Sequence, residues 1–229
     1  MNLSSPSFDT IVVGSGHNGL VTACYLAKAG YKVLVTEKND TIGGAVRTET
    51  MFESAENPHG FRMDVGSSVH IMIHQTGIIE ELELEKYGLE YIDMDPIMSY
   101  PVPTAKGVIH FWKDLERTLE SIASVAPKDV KNYKDFIEFW AKINKGVLAS
   151  FMTPPKGGKI VSEIVKAQIR DGSMFNKGEH MSGLQRILSS YGKVVDDAFE
   201  SPYLKAALVW FAAQSGPLPD QSATGDFVG

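Results

Sequence analysis

The chain has one cysteine, Cys24, so no intrachain disulfide can form, and this usage suits a reducing compartment. It has no basic run, and 22 Lys and Arg against 28 Asp and Glu leave a net charge of −6, which argues against nucleic acid as a partner. No apolar stretch approaches the ~18 residues that a membrane-spanning helix needs. The most apolar, Leu204 to Ala213, is interrupted by Lys205 and reads as a core helix. There is no internal repeat and no low-complexity segment. Residues 1–8 are polar without a basic start, so no secretory leader is expected and the reading is a cytoplasmic protein. No G-x-S-x-G elbow surrounds Ser15 or Ser189. His70 and His74 stand four apart, but no glutamate follows His70 and no further ligand is close, so no metal site is expected. Asp196 and Asp197 are adjacent, which on a helix points them apart and makes a solvated face the expectation.

What the chain does carry is concentrated between Asp9 and Thr48. Thr10-Ile11-Val12-Val13 is a short β-branched run, the pattern of a buried parallel strand. Gly14-Ser15-Gly16-His17-Asn18-Gly19 follows at once as a complete G-x-G-x-x-G. Leu20 to Ala29 reads as a helix closed by Gly30, and Lys32 to Thr36 as a second strand with Glu37 at its end. Each part has a physical task in dinucleotide binding. Gly14 permits the tight turn, Gly16 lets backbone approach a pyrophosphate, and Gly19 lets helix and strand pack closely. The helix start offers free N–H groups and a positive dipole end. Glu37 is placed to accept both ribose hydroxyls of an unphosphorylated adenosine, so FAD or NAD fits and NADP fits poorly.

Two later segments separate FAD from NAD by resemblance. Ile42-Gly43-Gly44-Ala45-Val46-Arg47-Thr48 resembles the second dinucleotide-binding motif of the flavoproteins that include amine oxidases and carotenoid desaturases. Gly60-Phe61-Arg62-Met63-Asp64-Val65-Gly66-Ser67-Ser68 resembles the G-F-x-x-D-x-G stretch of the phytoene-desaturase-like flavoproteins. Residues 16–21 and 27–30 are similar to the branch holding the pyridine nucleotide-disulfide oxidoreductase domain-containing proteins and carotenoid ketolases. Ser201 to Leu208 is similar to that branch's cap-region helix. One departure is that many relatives place arginine directly after the double glycine, where this chain has Ala45 and then Arg47.

The resemblance implies an α/β fold with a Rossmann-like, glutathione-reductase-like FAD-binding domain and an inserted mixed-sheet and helical substrate or cap domain. Residues 1–70 would form the first part of the FAD domain and residues 71–229 the cap. The returning strands and the glycine–aspartate turn that close such domains are not found, and Asp226 has no strand-forming run before it. The expectation is therefore a truncated version, completed by a C-terminal segment or a partner chain. The cofactor-binding set is Gly14, Gly16, His17, Asn18, Gly19, Glu37, Lys38, Gly43, Gly44, Arg47, Ser67 and Ser68. No catalytic acid or base is named, because the flavin itself carries the chemistry. The implied function is an FAD-dependent oxidoreductase that takes a hydride from a hydrophobic substrate. The alternatives are a non-catalytic binding protein of the same fold, like the Rab GDP-dissociation inhibitors, and an NAD-dependent dehydrogenase.

Beyond Ile71 the pattern predicts a helix over 75–87, a strand over 89–94, and a hairpin of 98–102 with 108–112 that floors a substrate cavity. Helices are predicted over 115–125 and from Pro127 to about 145. In the second, Tyr133, Phe136, Ile137, Trp140 and Ile143 form a core stripe. A short helix over 160–169, with Lys156, Lys159, Lys166 and Arg170 around it, reads as a solvated cap helix that also suits peripheral contact with a membrane. Cys24 is expected as a buried small hydrophobe.

Overall fold

The structure is a computed structural model, and it describes residues 6–67, 70, 72–103, 107–151, 158, 162, 166 and 183–225. The chain forms two compact units, residues 1–91 and 92–229. Their boundary lies later than the compositional change at Ile71.

In the first unit, β1 (Thr10–Val13) and β2 (Val33–Thr36) pair in parallel, with Thr10 opposite Val33 and Val13 opposite Thr36. Helix α1 (His17–Lys28) connects them. It begins three residues before the predicted start, because the last turn of the glycine motif is already helical. It ends where Gly30 takes φ +94° and Tyr31 N–H donates to Leu26 O at 3.1 Å. α1 covers one sheet face only. The side chains of β1 therefore alternate, and Ile11 and Val13 are 60% and 85% exposed instead of buried on both sides. Cys24 is likewise exposed: Ala23, one position before it on α1, is the buried residue, and a step of one residue turns a helical side chain to another face.

Beyond β2, residues Gly44–Val46 form a 3₁₀ turn, and β3 (Thr48–Met51) pairs antiparallel with β4 (Phe61–Asp64). Each strand is four residues long, and although β4 alternates apolar and polar residues, Phe61 and Met63 are exposed, so the alternation marks no buried face. The predicted helix over 75–87 is instead three short pieces: 3₁₀ Met72–Gln75, α2 (Ile78–Glu81) and 3₁₀ Leu84–Tyr87. Gly77 and a left-handed Glu83, φ +52°, interrupt it, and Glu80, Glu81, Glu83 and Glu85 crowd one short stretch with like charge. Tyr25 Oη donates to Glu81 at 2.8 Å, and Lys28 Nζ donates to the Glu81 carbonyl, tying α2 to α1. Residues 89–94 form no strand. Their alternation is real, but among the described residues no neighbouring strand pairs with them.

The second unit opens with the predicted hairpin, β5 (Met98–Pro101) antiparallel to β6 (Val108–Phe111). Among the described residues this is a separate two-stranded antiparallel sheet. Pro101 sits at the end of the ladder, where its missing N–H does least harm. α3 (Leu115–Val125) starts at Asp114, whose carboxylate accepts Arg117 N–H at 3.0 Å. A 3₁₀ turn at Pro127–Asp129 leads into α4 (Val130–Phe151), longer than predicted. α5 (Gly183–Leu188), α6 (Tyr191–Ala198) and α7 (Pro202–Ala213) follow, the last two capped by Ser190 and Ser201. Ile109, Ile122, Trp140, Tyr191, Val195 and Leu204 are buried at the centre of one core. The stripe on α4 is core as read: Tyr133, Phe136 and Trp140 are buried and Ile137 packs against them, while the side chain of Ile143 lies outside the described residues. Asp196 and Asp197 pair with Lys205 and Lys193 on a solvated face. The 160–169 helix lies outside the described residues apart from 162 and 166. Among the described residues no helix is long and apolar enough to cross a membrane.

Candidate functional site

The first unit places a cavity of about 470 Å³ at the C-terminal ends of β1 and β2, lined by Val13, Gly14, Thr36, Glu37 and Lys38. Parallel α/β units bind ligands at this end, because the loops there face away from the sheet and the helix N-termini converge on it. Gly14 N–H donates to Thr36 O at 2.7 Å and closes the turn, with φ +96° at Gly14.

The three glycines of the first motif stand in different surroundings. A Cβ on Gly19 would lie 2.2 Å from the Gly14 carbonyl oxygen, so only glycine lets α1 seat against the turn. A Cβ on Gly14 or Gly16 would meet nothing within 4 Å. The space over these residues is open, and the fold does not need it. Gly16 is the N-cap of α1, at φ −70° and ψ 169° with no side-chain cap bond. His17, Asn18 and Gly19 form the first helical turn, with His17 and Asn18 exposed. N–H groups of a first turn have no partner within their own helix and can meet an anion.

The second glycine pair makes its close approach to the first loop. Gly43 N–H donates to Ser15 O at 2.9 Å, Gly16 and Gly43 form a parallel bridge, and a Cβ on Gly44 would come within 2.9 Å of Gly16 Cα. Arg47 Nη1 donates to Gly44 O at 3.2 Å, and Nε pairs with Glu49, so this side chain braces the turn it belongs to. Val65 N–H reaches Arg47 O at 3.2 Å, and a Cβ on Gly66 would sit 3.2 Å from Ala45 O. The loop carrying half-buried Ser67 thus lies against the second glycine motif; Ser68 lies outside the described residues. His70 and His74 flank Tyr91: His70 Nδ1 is 3.0 Å from the phenol oxygen, and the His74 ring centroid is 4.4 Å from that of Tyr91.

Glu37 is the most heavily bonded carboxylate of this unit. Its Oε2 accepts from Ser15 N–H at 2.8 Å and Ser15 Oγ at 2.9 Å. Its Oε1 accepts from Lys38 N–H at 2.9 Å, Asn39 N–H at 3.0 Å and Asn39 Nδ2 at 2.8 Å. The Ser15 N–H above all, then the Asn39 N–H, holds the Glu37 carboxyl down at about 2. Stability linked to this group is therefore complete above its ordinary value of 4.5 and is lost only as pH falls toward 2. Glu37 is anionic throughout the neutral range, so its own contribution to the affinity of any nucleotide bound here is expected to be flat down to pH 4.5. A fall in ADP affinity centred near the ordinary carboxylate value would contradict this. Sequence reasoning missed Ser15 and Asn39. Their only signal is position: Ser15 stands between the first two glycines and Asn39 two residues after the acid.

Known proteins resemble this chain. Residues 12–82 match the family model of the NAD(P)-binding Rossmann-like domain. A subunit of the limonene dehydrogenase of Castellaniella defragrans is 31% identical over 93% of this chain and 36% of its own length. Mouse pyridine nucleotide-disulfide oxidoreductase domain-containing protein 2 is 26% identical over 89% of this chain and 36% of its own length. A phytoene desaturase of Cercospora nicotianae is 32% identical over 54% of this chain and 18% of its own. Among solved structures, putrescine oxidase bound to putrescine superposes with a TM-score of 0.50 at 16% identity, covering 96% of this chain and 40% of that one. The chain thus spans little more than a third of the length of its curated relatives. The resemblance read from the motifs is borne out, as is the Rossmann-like fold.

Proposed function

We propose, for a chain homologous to these phytoene desaturase-like oxidoreductases, that it supplies the dinucleotide-binding part of an FAD-dependent oxidoreductase acting on a hydrophobic substrate. The observation that carries this is the cavity at the strand ends. It combines a fixed anionic acceptor, Glu37, with open space over Gly14 and Gly16 and the free end of α1. That donor and acceptor set fits the adenosine and pyrophosphate of FAD. When bound, the flavin supplies the redox chemistry by accepting a hydride equivalent from a C–H bond.

The residues of this chain bind and orient. Glu37 accepts from the ribose hydroxyls, and its charge opposes a 2′-phosphate. Gly14 and Gly16 let the pyrophosphate approach the backbone, and the first turn of α1, His17 to Gly19, offers it N–H groups. Lys38, at the cavity wall, adds positive charge near the phosphates. Gly43, Gly44 and Arg47 hold the second turn against the first, which sets where the flavin half runs, and Ser67 and Ser68 are assigned to contact that half. Residues 1–70 are the first part of the FAD domain, and residues 71–229 contribute to the substrate domain. A dehydrogenase using soluble NAD would need no second glycine motif fastened to the first. A non-catalytic lipid-protein carrier would not need the first motif intact.

The test is to purify the protein and read its visible flavin absorption. Glu37→Ala strips Ser15 N–H of its acceptor and is read beside a thermal melt; in folded protein it should weaken FAD on the order of a hundredfold, the effect of losing two charge-assisted hydrogen bonds. Unchanged flavin retention in that variant overturns the assignment.

The bare face of β1, with Ile11 and Val13 exposed, also supports a further segment or partner chain covering the sheet. The basic 156–170 stretch supports a peripheral membrane contact of a cytoplasmic protein. This chain alone is expected to hold FAD substoichiometrically, and adding the covering segment should restore full occupancy. A stoichiometric, active flavoprotein made from this chain alone would refute that part.

A further inference from the structure

The bonds around Glu37 outnumber what a carboxylate can comfortably accept. Two carboxylate oxygens offer about four lone-pair directions, and five donors already point at them. A ribose with two hydroxyls to place finds no vacant acceptor. Some of the five must yield before the ligand can bind.

The five are not equally able to do so. The N–H groups of Ser15, Lys38 and Asn39 belong to the backbone of the two loops. The Ser15 loop is fastened through Ser15 O to Gly43, and its neighbour Gly14 is fastened to Thr36. The other two donors are side chains. The Ser15 hydroxyl, in a residue only 2% exposed, leaves Oε2 by a χ1 rotation that carries its oxygen away from the 2.9 Å contact. The Asn39 amide is on an exposed residue and can swing away by a rotamer change.

We infer that the Ser15 hydroxyl and the Asn39 side-chain amide are placeholders for the two ribose hydroxyls, occupying one acceptor direction on each oxygen of Glu37 until an adenosine displaces them. The arrangement has one such donor on Oε2 and one on Oε1, matching a cis-diol that bridges the two oxygens. It keeps the carboxylate paired, ionised and aimed while the site is empty. It also makes binding an exchange of hydrogen bonds, so a ligand with both hydroxyls replaces both placeholders and a ligand with one replaces only one. Ser15 and Asn39 are then specificity residues for the diol. This inference rests on the reading of Glu37 as the ribose acceptor.

The experiment uses the full chain and calorimetric titration with ADP and with 2′-deoxy-ADP, which has a single ribose hydroxyl. Asn39 is exposed, so Asn39→Ala leaves the fold intact. Removing a competitor should tighten ADP by about three- to tenfold, the worth of one net hydrogen bond, and should tighten 2′-deoxy-ADP less. Ser15→Ala, which keeps the backbone bond to Glu37, should act in the same direction. Weaker ADP binding in both variants would make these residues struts for Glu37 and overturn the inference, as would equal gains for the two ligands. Glu37→Gln separates the two levels of the argument. If it keeps ADP affinity, the site reading itself fails. If it loses ADP affinity while Asn39→Ala gives no diol-dependent gain, only the placeholder role fails.

Discussion

Gly16→Val should leave the protein folded and abolish its binding of FAD. A β-carbon at residue 16 meets no atom within 4 Å, and the backbone there is extended, a conformation any residue adopts. The fold therefore gives no reason for glycine. The proposed reason is a ligand that comes where the side chain would stand, over the start of α1. The neighbouring Gly19→Ala makes the opposite case. Its methyl would lie 2.2 Å from the Gly14 carbonyl oxygen, so α1 must shift off β1. That variant should lose stability by several kcal/mol, on the scale of overpacking a tight contact. Circular dichroism and thermal melting report the fold, and retained flavin absorption reports the site. The expected pattern is a normal melt without flavin for Gly16→Val and a depressed melt for Gly19→Ala. Full flavin retention by Gly16→Val would show that the open space over the first glycines is not the pyrophosphate site.

The second large effect is expected in the other unit, at Asp129. This carboxylate is 1% exposed, and its two oxygens accept from Glu200 N–H at 2.9 Å and Ser201 N–H at 2.8 Å. The acceptors meet the amides at the start of α7, where the helix has no carbonyls of its own to offer and its dipole favours a negative charge. Asp129→Ala removes both bonds and leaves two part-buried N–H groups without their acceptor. The cost is about 3 kcal/mol, from two hydrogen bonds to a charged group. Asp129→Asn, which keeps an acceptor oxygen without the charge, should recover part of it. Chemical denaturation monitored by tryptophan fluorescence is the measurement, since Trp140 is buried in the same unit. An unchanged midpoint in Asp129→Ala would show that the loop before α7 is held by its hydrophobic contacts alone. Flavin binding, proposed for the first unit, should be unaffected.

Most of the candidate site's backbone frame could be read from residue order, because its determinants are local. A glycine turn between a β-branched run and a helix, with an acid at the end of the next run, needs only nearest neighbours to take shape. The α3 helix and the 98–111 hairpin were legible for the same reason: Asp114 caps the one, and two apolar arms flank Gly107 in the other. Where neighbours in sequence were not enough, the reading failed. Residues 89–94 alternate as a strand should, yet a strand exists only if another lies beside it, and among the described residues none does. The 75–87 segment has helical composition, but Glu83 turns left-handed and Glu81 is engaged by Tyr25 and Lys28 of α1.

Residue order alone settles which positions could serve a dinucleotide: the glycines that must lack side chains, and the acid that must end β2. What each of them touches comes from the folded chain. Folding divides the glycines into Gly19 and Gly44, required by protein packing, and Gly14 and Gly16, which leave space open. It turns Arg47 inward onto Gly44 and Glu49 and surrounds Glu37 with Ser15 and Asn39. It also leaves Cys24, Ile11 and Val13 exposed, although hydropathy counts all three as interior residues. One cause underlies each case. Backbone conformation follows from the residue and its immediate neighbours, whereas burial and hydrogen-bond partnership depend on which distant segments the fold brings to that side of the element.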